Sequence, residues 1–113
     1  MDGFHAPKVI NWENVTSESY KEIFKLAEML DRSRIPYTLV RRMDGFQLCY
    51  PDEEVMLVDA VQFRGTYGAN QDLLGVYGRN WDRGPEGCLT ASEALEFFVE
   101  EHIKILQMNN GFR

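Results

Sequence analysis

The side chains best suited to bind another molecule lie close together in residues 65–87. This segment reads GTYGANQDLLGVYGRNWDRGPEG and holds six of the nine glycines of the chain. Its aromatic and cationic side chains are Tyr67, Tyr77, Arg79, Trp81 and Arg83. Aromatic rings beside guanidinium groups can anchor a protein partner or stack on a base. The alternative interpretation is that these rings only cover the edge or the open face of a sheet.

The overall charge favours a protein over a nucleic acid as the partner of that segment. The 113 residues include 18 acidic and 12 basic side chains, which gives a net charge of −6. Proteins that bind a phosphate backbone usually carry a basic excess, so this charge argues against nucleic acid. An acidic surface suits a basic partner. We therefore expect a protein partner or self-association.

Two isolated charges, Arg41 and Asp59, are predicted on strand faces that are otherwise apolar. Period-two alternation over 37–50 and 55–64 places each charge on a face that we expect to be covered. An unpaired charge in such a position would be unfavourable. We therefore hypothesise that the two side chains form a buried or half-buried ion pair. The alternative is that Arg41 binds an anionic ligand.

The sequence contains no residue pattern typical of a catalytic or metal site. None of its three Gly-x-x-Gly units leads into the Gly-Lys-Ser/Thr of a phosphate loop, and there is no Gly-x-Ser-x-Gly elbow. The residues His5, His102, Cys49 and Cys88 lack the spacing of zinc ligands. A dyad of His102 with either cysteine stays open, because such partners need not be close in sequence. The pattern favours a non-enzymatic protein with no catalytic residue, metal or cofactor.

The strands that must position these residues begin with a hairpin over 37–50. Its centre is Asp44-Gly45, a dipeptide that accepts the positive φ angles of a tight type I′ turn. That turn pairs Arg41 with Leu48. The face predicted to be covered consists of Tyr37, Leu39, Arg41, Met43, Phe46, Leu48 and Tyr50. A third strand is predicted over 55–64, with a covered face formed by Val55, Leu57, Asp59, Val61 and Phe63.

Helical periodicity predicts one helix near each end of the chain. The first would follow Thr16 as its N-cap, with Met29 on the exposed side and a packed stripe of Tyr20, Ile23, Phe24, Ala27 and Leu30. The last begins with a capping box at Thr90-Ala91-Ser92-Glu93. Its packed stripe is Leu95, Phe98, Val99, His102 and Leu106. Phe97 is predicted on the solvent-exposed face of this helix, either as a tolerated exposed ring or as part of an association surface.

These elements predict one α+β domain over residues 1–113. We expect an antiparallel sheet of three or four strands, with the N-terminal and C-terminal helices packed on one face. Residues 1–14 would form an N-terminal arm, and 65–87 a glycine- and aromatic-rich loop. No apolar run approaches the roughly 20 residues needed to cross a bilayer, and the N-terminus lacks the apolar core of a secretory signal. We expect a cytoplasmic protein with no membrane partner.

The order of motifs resembles a group of small proteins encoded by bacterial phages and prophages. The shared features are Asp44-Gly45, Tyr67-Gly68, Leu73-Leu74 and the segment Leu89 to Ala94, spread over residues 20–105. The chain departs from this pattern in its glycine-heavy 75–87 stretch. No catalytic residues are assigned to the group, so none are transferred. The resemblance implies a phage accessory role, in which a small acidic protein binds a host protein. The first function that we expect is therefore a non-enzymatic binding protein, either self-associating or inhibiting a host defence or nucleic-acid enzyme.

The residues also allow a second function from a different class. Arg41, Tyr67, Tyr77 and Arg79 around the glycine-rich loop would suit a protein that binds a small molecule or a nucleotide, an enzyme included. Replacement of Arg41 separates two of these interpretations. It would destabilise the fold if Arg41 pairs with Asp59, and would abolish ligand binding alone if Arg41 holds an anion.

Overall fold

The computed structural model describes residues 20–110, which form two helices and five strands. In chain order these are α1 (Glu22–Arg32), β1 (Thr38–Arg42), β2 (Gly45–Tyr50), β3 (Val58–Gln62), β4 (Leu74–Gly78), β5 (Glu86–Leu89) and α2 (Ala91–Asn110). A single 3-10 turn, Ala69–Gln71, precedes β4. The predicted arm, His5 and the predicted N-cap Thr16 lie outside the described residues.

The five strands form one antiparallel sheet in which each strand pairs with the next along the chain, in the order β1-β2-β3-β4-β5. Alternate residues of the four longer strands join both helices in one buried core, which confirms the α+β class. The strand residues of this core are Leu39, Phe46, Leu48, Tyr50, Val58, Ala60, Leu74 and Val76. We call this side of the sheet the helix face.

The glycine-rich segment is not a loop as predicted, because it contains β4 and the start of β5. The sheet consequently has five strands instead of three or four. Glycines weaken the strand signal of LGVYG, since they contribute no side chain to the alternation. The packing of β4 explains both of its glycines. Gly75 lies opposite Val61, and the indole ring of Trp81 occupies the space where a Cβ on Gly78 would stand.

The predicted hairpin turn is wrong by one residue. The turn consists of Met43-Asp44, where Met43 has a positive φ of 53°. Arg41 therefore pairs with Phe46 instead of Leu48. The register differs from the prediction by two residues, and a shift of two returns every side chain to the same face. The predicted grouping of the paired hairpin residues by face is unaffected, but Met43, which was predicted on the covered face, lies in the turn and is 74% exposed.

The predicted covered face of the third strand is wrong. The residues of β3 that face the helices are Val58, Ala60 and Gln62, whereas Asp59 and Val61 lie on the other side. The error has a clear origin, because residues 55–63 are apolar at both odd and even positions. Arg41 is opposite Phe46 and hence on the helix face. The hypothesised pair of Arg41 and Asp59 does not form, since the sheet separates them.

The packed stripe predicted for α1 is confirmed, with Ile23, Phe24, Ala27 and Leu30 all buried. Met29 was expected to be exposed, but it packs against the core. In α2 the predicted capping box is present. The Thr90 amide donates to Glu93 Oε1 at 2.9 Å, and the Glu93 amide donates to Thr90 Oγ1 at 3.2 Å.

Two predictions for α2 need correction. Phe97 is only partly exposed and packs against the core, because β4 and the residues after it supply a neighbour for its ring. Leu106 is 48% exposed, since the helix continues past the sheet at its C-terminal end. Phe98 is fully buried as predicted. His102 lies beside it, with Nδ1 2.8 Å from the hydroxyl of Tyr50.

The first residues of both helices are held by carboxylates that are remote in sequence. Asp72 Oδ1 accepts hydrogen bonds from the amides of Lys21 and Glu22, at 2.8 and 3.2 Å. The same oxygen accepts from Nε2 of the fully buried Gln62 at 2.7 Å. Glu22 Oε1 in turn accepts from the Ala91 amide at 2.7 Å. These bonds satisfy helix N–H groups that have no partner within their own helix.

Candidate functional site

Among the described residues, neither helix covers the second face of the sheet, which we call the open face. Directly opposite residues of antiparallel strands project to the same side, so the registers define this face. Its members are Thr38, Val40, Gln47, Cys49, Asp59, Val61, Gly75 and Tyr77. Cys49 is fully buried on this face, so the part that can accommodate a ligand or partner lies around Asp59, Val61 and Tyr77.

Asp59 is the charged residue at the centre of the open face. It lies opposite Cys49 on one neighbouring strand and opposite Tyr77 on the other. Gln47 Nε2 donates to its Oδ2 at 2.9 Å. No lysine or arginine of residues 20–110 lies within ion-pair distance of it. Burial raises the pKa of Asp59, while the bond from Gln47 acts in the opposite direction.

Two depressions meet at Asp59 and Tyr77. The smaller, which we call the tyrosine pocket, has a volume of about 160 Å³. Its side-chain walls are Asp59, Val61, Tyr67 and Tyr77, and its backbone rim includes Gly87. The larger, which we call the arginine hollow, has a volume of about 370 Å³. It is lined by Glu54, Val55, Met56, Asp59, Tyr77 and Arg79.

The tyrosines of the pocket are among the most exposed large side chains of the described residues. Tyr67 is 75% exposed and Tyr77 is 43% exposed. Gly87 lets Tyr67 lie close to β5, because a Cβ at that position would stand only 2.6 Å from Tyr67 Cβ. The backbone thus presents both rings beside a half-buried carboxylate.

Trp81, Arg83 and Phe97 form a packed cluster that also contacts Tyr77, whose ring centroid lies 6.1 Å from that of Trp81. The Arg83 guanidinium lies 3.9 Å from the centroid of the Trp81 ring, and the rings of Trp81 and Phe97 are 5.2 Å apart. Arg83 Nη1 also pairs with Glu86 at 2.8 Å. Cation–π and ion-pair contacts already engage Arg83. This arrangement agrees with the alternative in which rings cover the end of the sheet.

Arg79 has a structural contact of its own in the arginine hollow. Its Nη1 donates to the carbonyl of Val55 at 2.7 Å, and its backbone amide donates to the carbonyl of Leu57 at 2.8 Å. The residue therefore ties the segment between β2 and β3 to the end of β4. Of the six predicted binding residues, only Tyr67 and Tyr77 line the tyrosine pocket.

The dyad of Cys49 and His102 does not form. Cys49 is fully buried on the open face, whereas His102 contacts Tyr50 on the helix face of the same strand. Burial, followed by the charge of Asp59, raises the pKa of the Cys49 thiol to about 12. That thiol is protonated at neutral pH and is a poor nucleophile. Cys88 is exposed on β5.

Sequence reasoning missed the contribution of Gln47 and Gly75 to this site. Gln47 supplies the hydrogen bond to Asp59, and Gly75 forms the floor of the tyrosine pocket beside Val61. The signal was available in part, because a strand over LGVYG would have placed Gly75 and Tyr77 on one face. The pairing of that strand with β3 had no signal in the sequence.

Replacement of Asp59 by asparagine is expected to raise the free energy of unfolding at neutral pH. Asparagine has the same shape and keeps an acceptor for Gln47, but it carries no charge to desolvate. The ordinary pKa of 3.8 is raised in the folded protein. Protonation therefore stabilises the fold at low pH, and this stabilisation is lost as the pH rises through the raised pKa.

The advantage of Asp59→Asn should accordingly be largest at neutral pH and vanish below the ordinary pKa of 3.8. Urea denaturation at a series of pH values measures it, with Glu96→Gln on the exposed side of α2 as the control for loss of one negative charge. An advantage that does not change with pH would contradict the desolvation argument.

The titratable and charged groups around Asp59 are Cys49, Glu54, Tyr67, Tyr77, Arg79 and Glu86.

Residues 20–110 thus define an α+β protein with a five-stranded antiparallel meander, two helices against one face, and on the other face a pocket that a half-buried carboxylate lines with two tyrosines. No family model, curated protein or solved structure matches the chain. Within this part of the chain, no group of three or more His, Cys, Asp or Glu side chains is placed to hold a metal ion. Neither α1 nor α2 combines the length and apolar character required to cross a membrane.

Proposed function

We propose that this chain is a non-enzymatic binding protein whose contact surface is the tyrosine pocket and the open face around it. The observation that carries the proposal is the pocket that Asp59 lines together with the exposed Tyr67 and Tyr77. A half-buried carboxylate that forms no ion pair with any described residue disfavours the isolated fold. Binding of a cationic partner supplies the compensation that residues 20–110 lack.

The exposed tyrosines support a protein partner in particular. Tyrosine is enriched at interfaces, because its large ring loses little conformational freedom and its hydroxyl can form a hydrogen bond. Both rings stand on backbone that is held by sheet pairing or by close glycine contact. Little ordering is then needed when a partner binds. The net charge of −6 adds attraction for a basic surface.

We extend the proposal to the role of a phage accessory protein. The support is the resemblance of the motif order to small phage-encoded proteins. The partner is then a protein of the bacterial host, and the effect is inhibition of a defence or nucleic-acid enzyme by covering part of its surface. In that role the protein acts in the host cytoplasm. Self-association through the open face is the competing form of protein binding.

A small-molecule ligand is the second candidate function, and the arginine hollow favours it. The hollow combines Arg79 with Tyr77 and Asp59 in a volume of about 370 Å³. Arg41 cannot contribute, since it lies on the helix face. The ligand would therefore meet a cation, a ring and a carboxylate in a shallow depression, without the second arginine that the sequence suggested.

The test is native mass spectrometry of the protein purified gently from a bacterial host, with the tyrosines varied. We expect a complex with a host protein that survives purification for the wild type. Tyr67→Ala and Tyr77→Ala should each weaken it about tenfold or more, because interface tyrosines contribute on the order of 1–2 kcal/mol or more. Met43→Ala is the matched control, since Met43 is 74% exposed at the hairpin turn and lines neither the tyrosine pocket nor the arginine hollow.

A complex that both tyrosine variants retain at wild-type affinity would contradict the proposed surface. A bound mass of a few hundred daltons that is released on denaturation would instead support the small-molecule candidate. In that case Arg79→Met should abolish the extra mass, because Arg79 is the cation that lines the hollow. A mass of twice the chain that is lost in the tyrosine variants would identify self-association.

A further inference from the structure

The tyrosine pocket contains a negatively charged group that is not paired with a described positive charge. It offers a carboxylate, two aromatic faces and an apolar floor, and no described cation lies within ion-pair distance of Asp59. We propose that this pocket receives the ammonium group of a lysine side chain from the protein partner. This inference rests on the proposed function, because it specifies what the partner inserts.

The size of the pocket fits a lysine side chain. A volume of about 160 Å³ corresponds to roughly five water-sized groups, since one water occupies about 30 Å³ in the liquid. The four methylenes and the ammonium nitrogen of lysine make five such groups. The walls agree with this, because Val61 and the rings of Tyr67 and Tyr77 provide apolar contact for the methylenes.

The hydrogen-bonding state of Asp59 leaves a place for the ammonium group. Gln47 donates to Oδ2, and no described residue donates to Oδ1. An ammonium group carries three donors on a compact charge, and one free carboxylate oxygen with nearby aromatic faces is a suitable receptor. A guanidinium binds a carboxylate best through both oxygens at once, whereas Gln47 already donates to one oxygen of Asp59.

The neighbouring charges do not already neutralise Asp59. Arg79 lines the arginine hollow with Asp59, but it forms no ion pair with that carboxylate and donates to the Val55 carbonyl instead. Glu86 lines the pocket, but it is paired with Arg83. Burial raises the pKa of Asp59, and a raised pKa agrees with a carboxylate that is not paired with a positive charge. An incoming ammonium group therefore gains the full attraction of this site.

Nuclear magnetic resonance titration of the full chain with N-acetyl-lysine methylamide tests the inference. The saturable shifts should be confined to amides of β3, β4 and residues 65–67. N-acetyl-arginine methylamide should bind more weakly, and N-acetyl-norleucine methylamide, which lacks the charge, should produce no saturable shift. Equal or tighter binding of the arginine or norleucine compound would overturn the assignment of lysine.

Two variants test the location of the site, one by removing a charge and the other by adding a methyl group. Asp59→Asn removes the charge and should weaken lysine binding about tenfold or more, because one close charge contact is commonly worth that factor. Gly75→Ala adds a methyl group to the pocket floor, where its Cβ would make ordinary contact with Val61 at 3.5 Å. The fold should tolerate it, yet lysine binding should fall. Glu96→Gln on α2 is the matched charge control and should bind as the wild type does.

Wild-type lysine affinity in Asp59→Asn and in Gly75→Ala would place the binding elsewhere and overturn the inference. Failure of the lysine assignment can be distinguished from failure of the proposed function. If lysine fails to bind while Tyr67→Ala still weakens the host complex, only the lysine assignment is wrong. If lysine binds the pocket while both tyrosine variants retain the host complex, the pocket is real and the proposed interface is wrong.

Discussion

Replacement of Asp72 by alanine is expected to lower the free energy of unfolding by about 3–6 kcal/mol. One oxygen of Asp72 accepts from the amides of Lys21 and Glu22 and from the side chain of Gln62. Loss of a helix cap costs about 1 kcal/mol, and an unsatisfied buried amide costs about 1–3 kcal/mol. The backbone adds to this, because Asp72 has a φ of 58° and alanine is strained there by roughly 1–2 kcal/mol.

The buried amide of Gln62 makes this site more sensitive than an ordinary helix cap. Gln62 is fully buried, and its Oε1 already has no hydrogen-bond partner. Without Asp72 the Nε2 group would lose its partner as well. A fully orphaned amide in the core is one of the few single-site changes with a large effect on stability.

Asp72→Asn is the matched control for this prediction. Asparagine retains an acceptor oxygen and tolerates positive φ, so we expect a loss of about 1 kcal/mol, mainly from the missing charge at the N-terminus of α1. Urea denaturation of the wild type and both variants measures the differences. If Asp72→Ala unfolds at the same urea concentration as Asp72→Asn, the three hydrogen bonds do not stabilise the fold in the way described.

Replacement of Gly45 by alanine should cost about 3 kcal/mol or more, the upper end of what overpacking costs in a rigid core. A Cβ on Gly45 would collide with the backbone carbonyl of Gln62 and would stand 2.7 Å from Phe63 Cα. Both obstacles are backbone atoms, so no change of side-chain rotamer relieves them. The two strands β2 and β3 would have to separate at one end of their ladder.

Gly84→Ala provides the comparison for the Gly45 prediction. No heavy atom lies within 4 Å of the position that its Cβ would take, and its φ lies outside the positive range. Alanine there should be neutral or stabilising by up to about 1 kcal/mol, because it reduces the freedom of the unfolded chain. Thermal unfolding of the two variants should differ clearly. Equal midpoints would show that β2 and β3 accommodate the extra methyl group.

Several parts of the fold were predictable because their signals are local. The capping box at Thr90 and Glu93 specifies the start of α2 through bonds that span three residues. The stripe of α1 follows from helical periodicity alone. The faces of the hairpin were correct even though its register was wrong, because alternation is unchanged by a shift of two residues. The α+β class follows from these elements together.

The candidate site was predictable only in part. Tyr67 and Tyr77 stood out by type and by their glycine-rich surroundings, but Trp81, Arg83 and Phe97 proved to pack on one another. A ring on a surface and a ring in a packed cluster look alike in sequence. Only the neighbours that the fold supplies distinguish them.

The amino-acid sequence by itself determined the helices, the hairpin, the mixture of helix and sheet, and the acidic character of the chain. Tertiary structure alone decided that Asp59 faces Tyr77 on the open side and that Asp72 caps a helix 50 residues away. It also decided that LGVYG is a strand, because pairing with β3 supplies the hydrogen bonds that its weak propensity does not predict. The reason is one of range: periodicity and capping act within a few residues, whereas the face of a strand and the partner of a charge depend on contacts between distant segments.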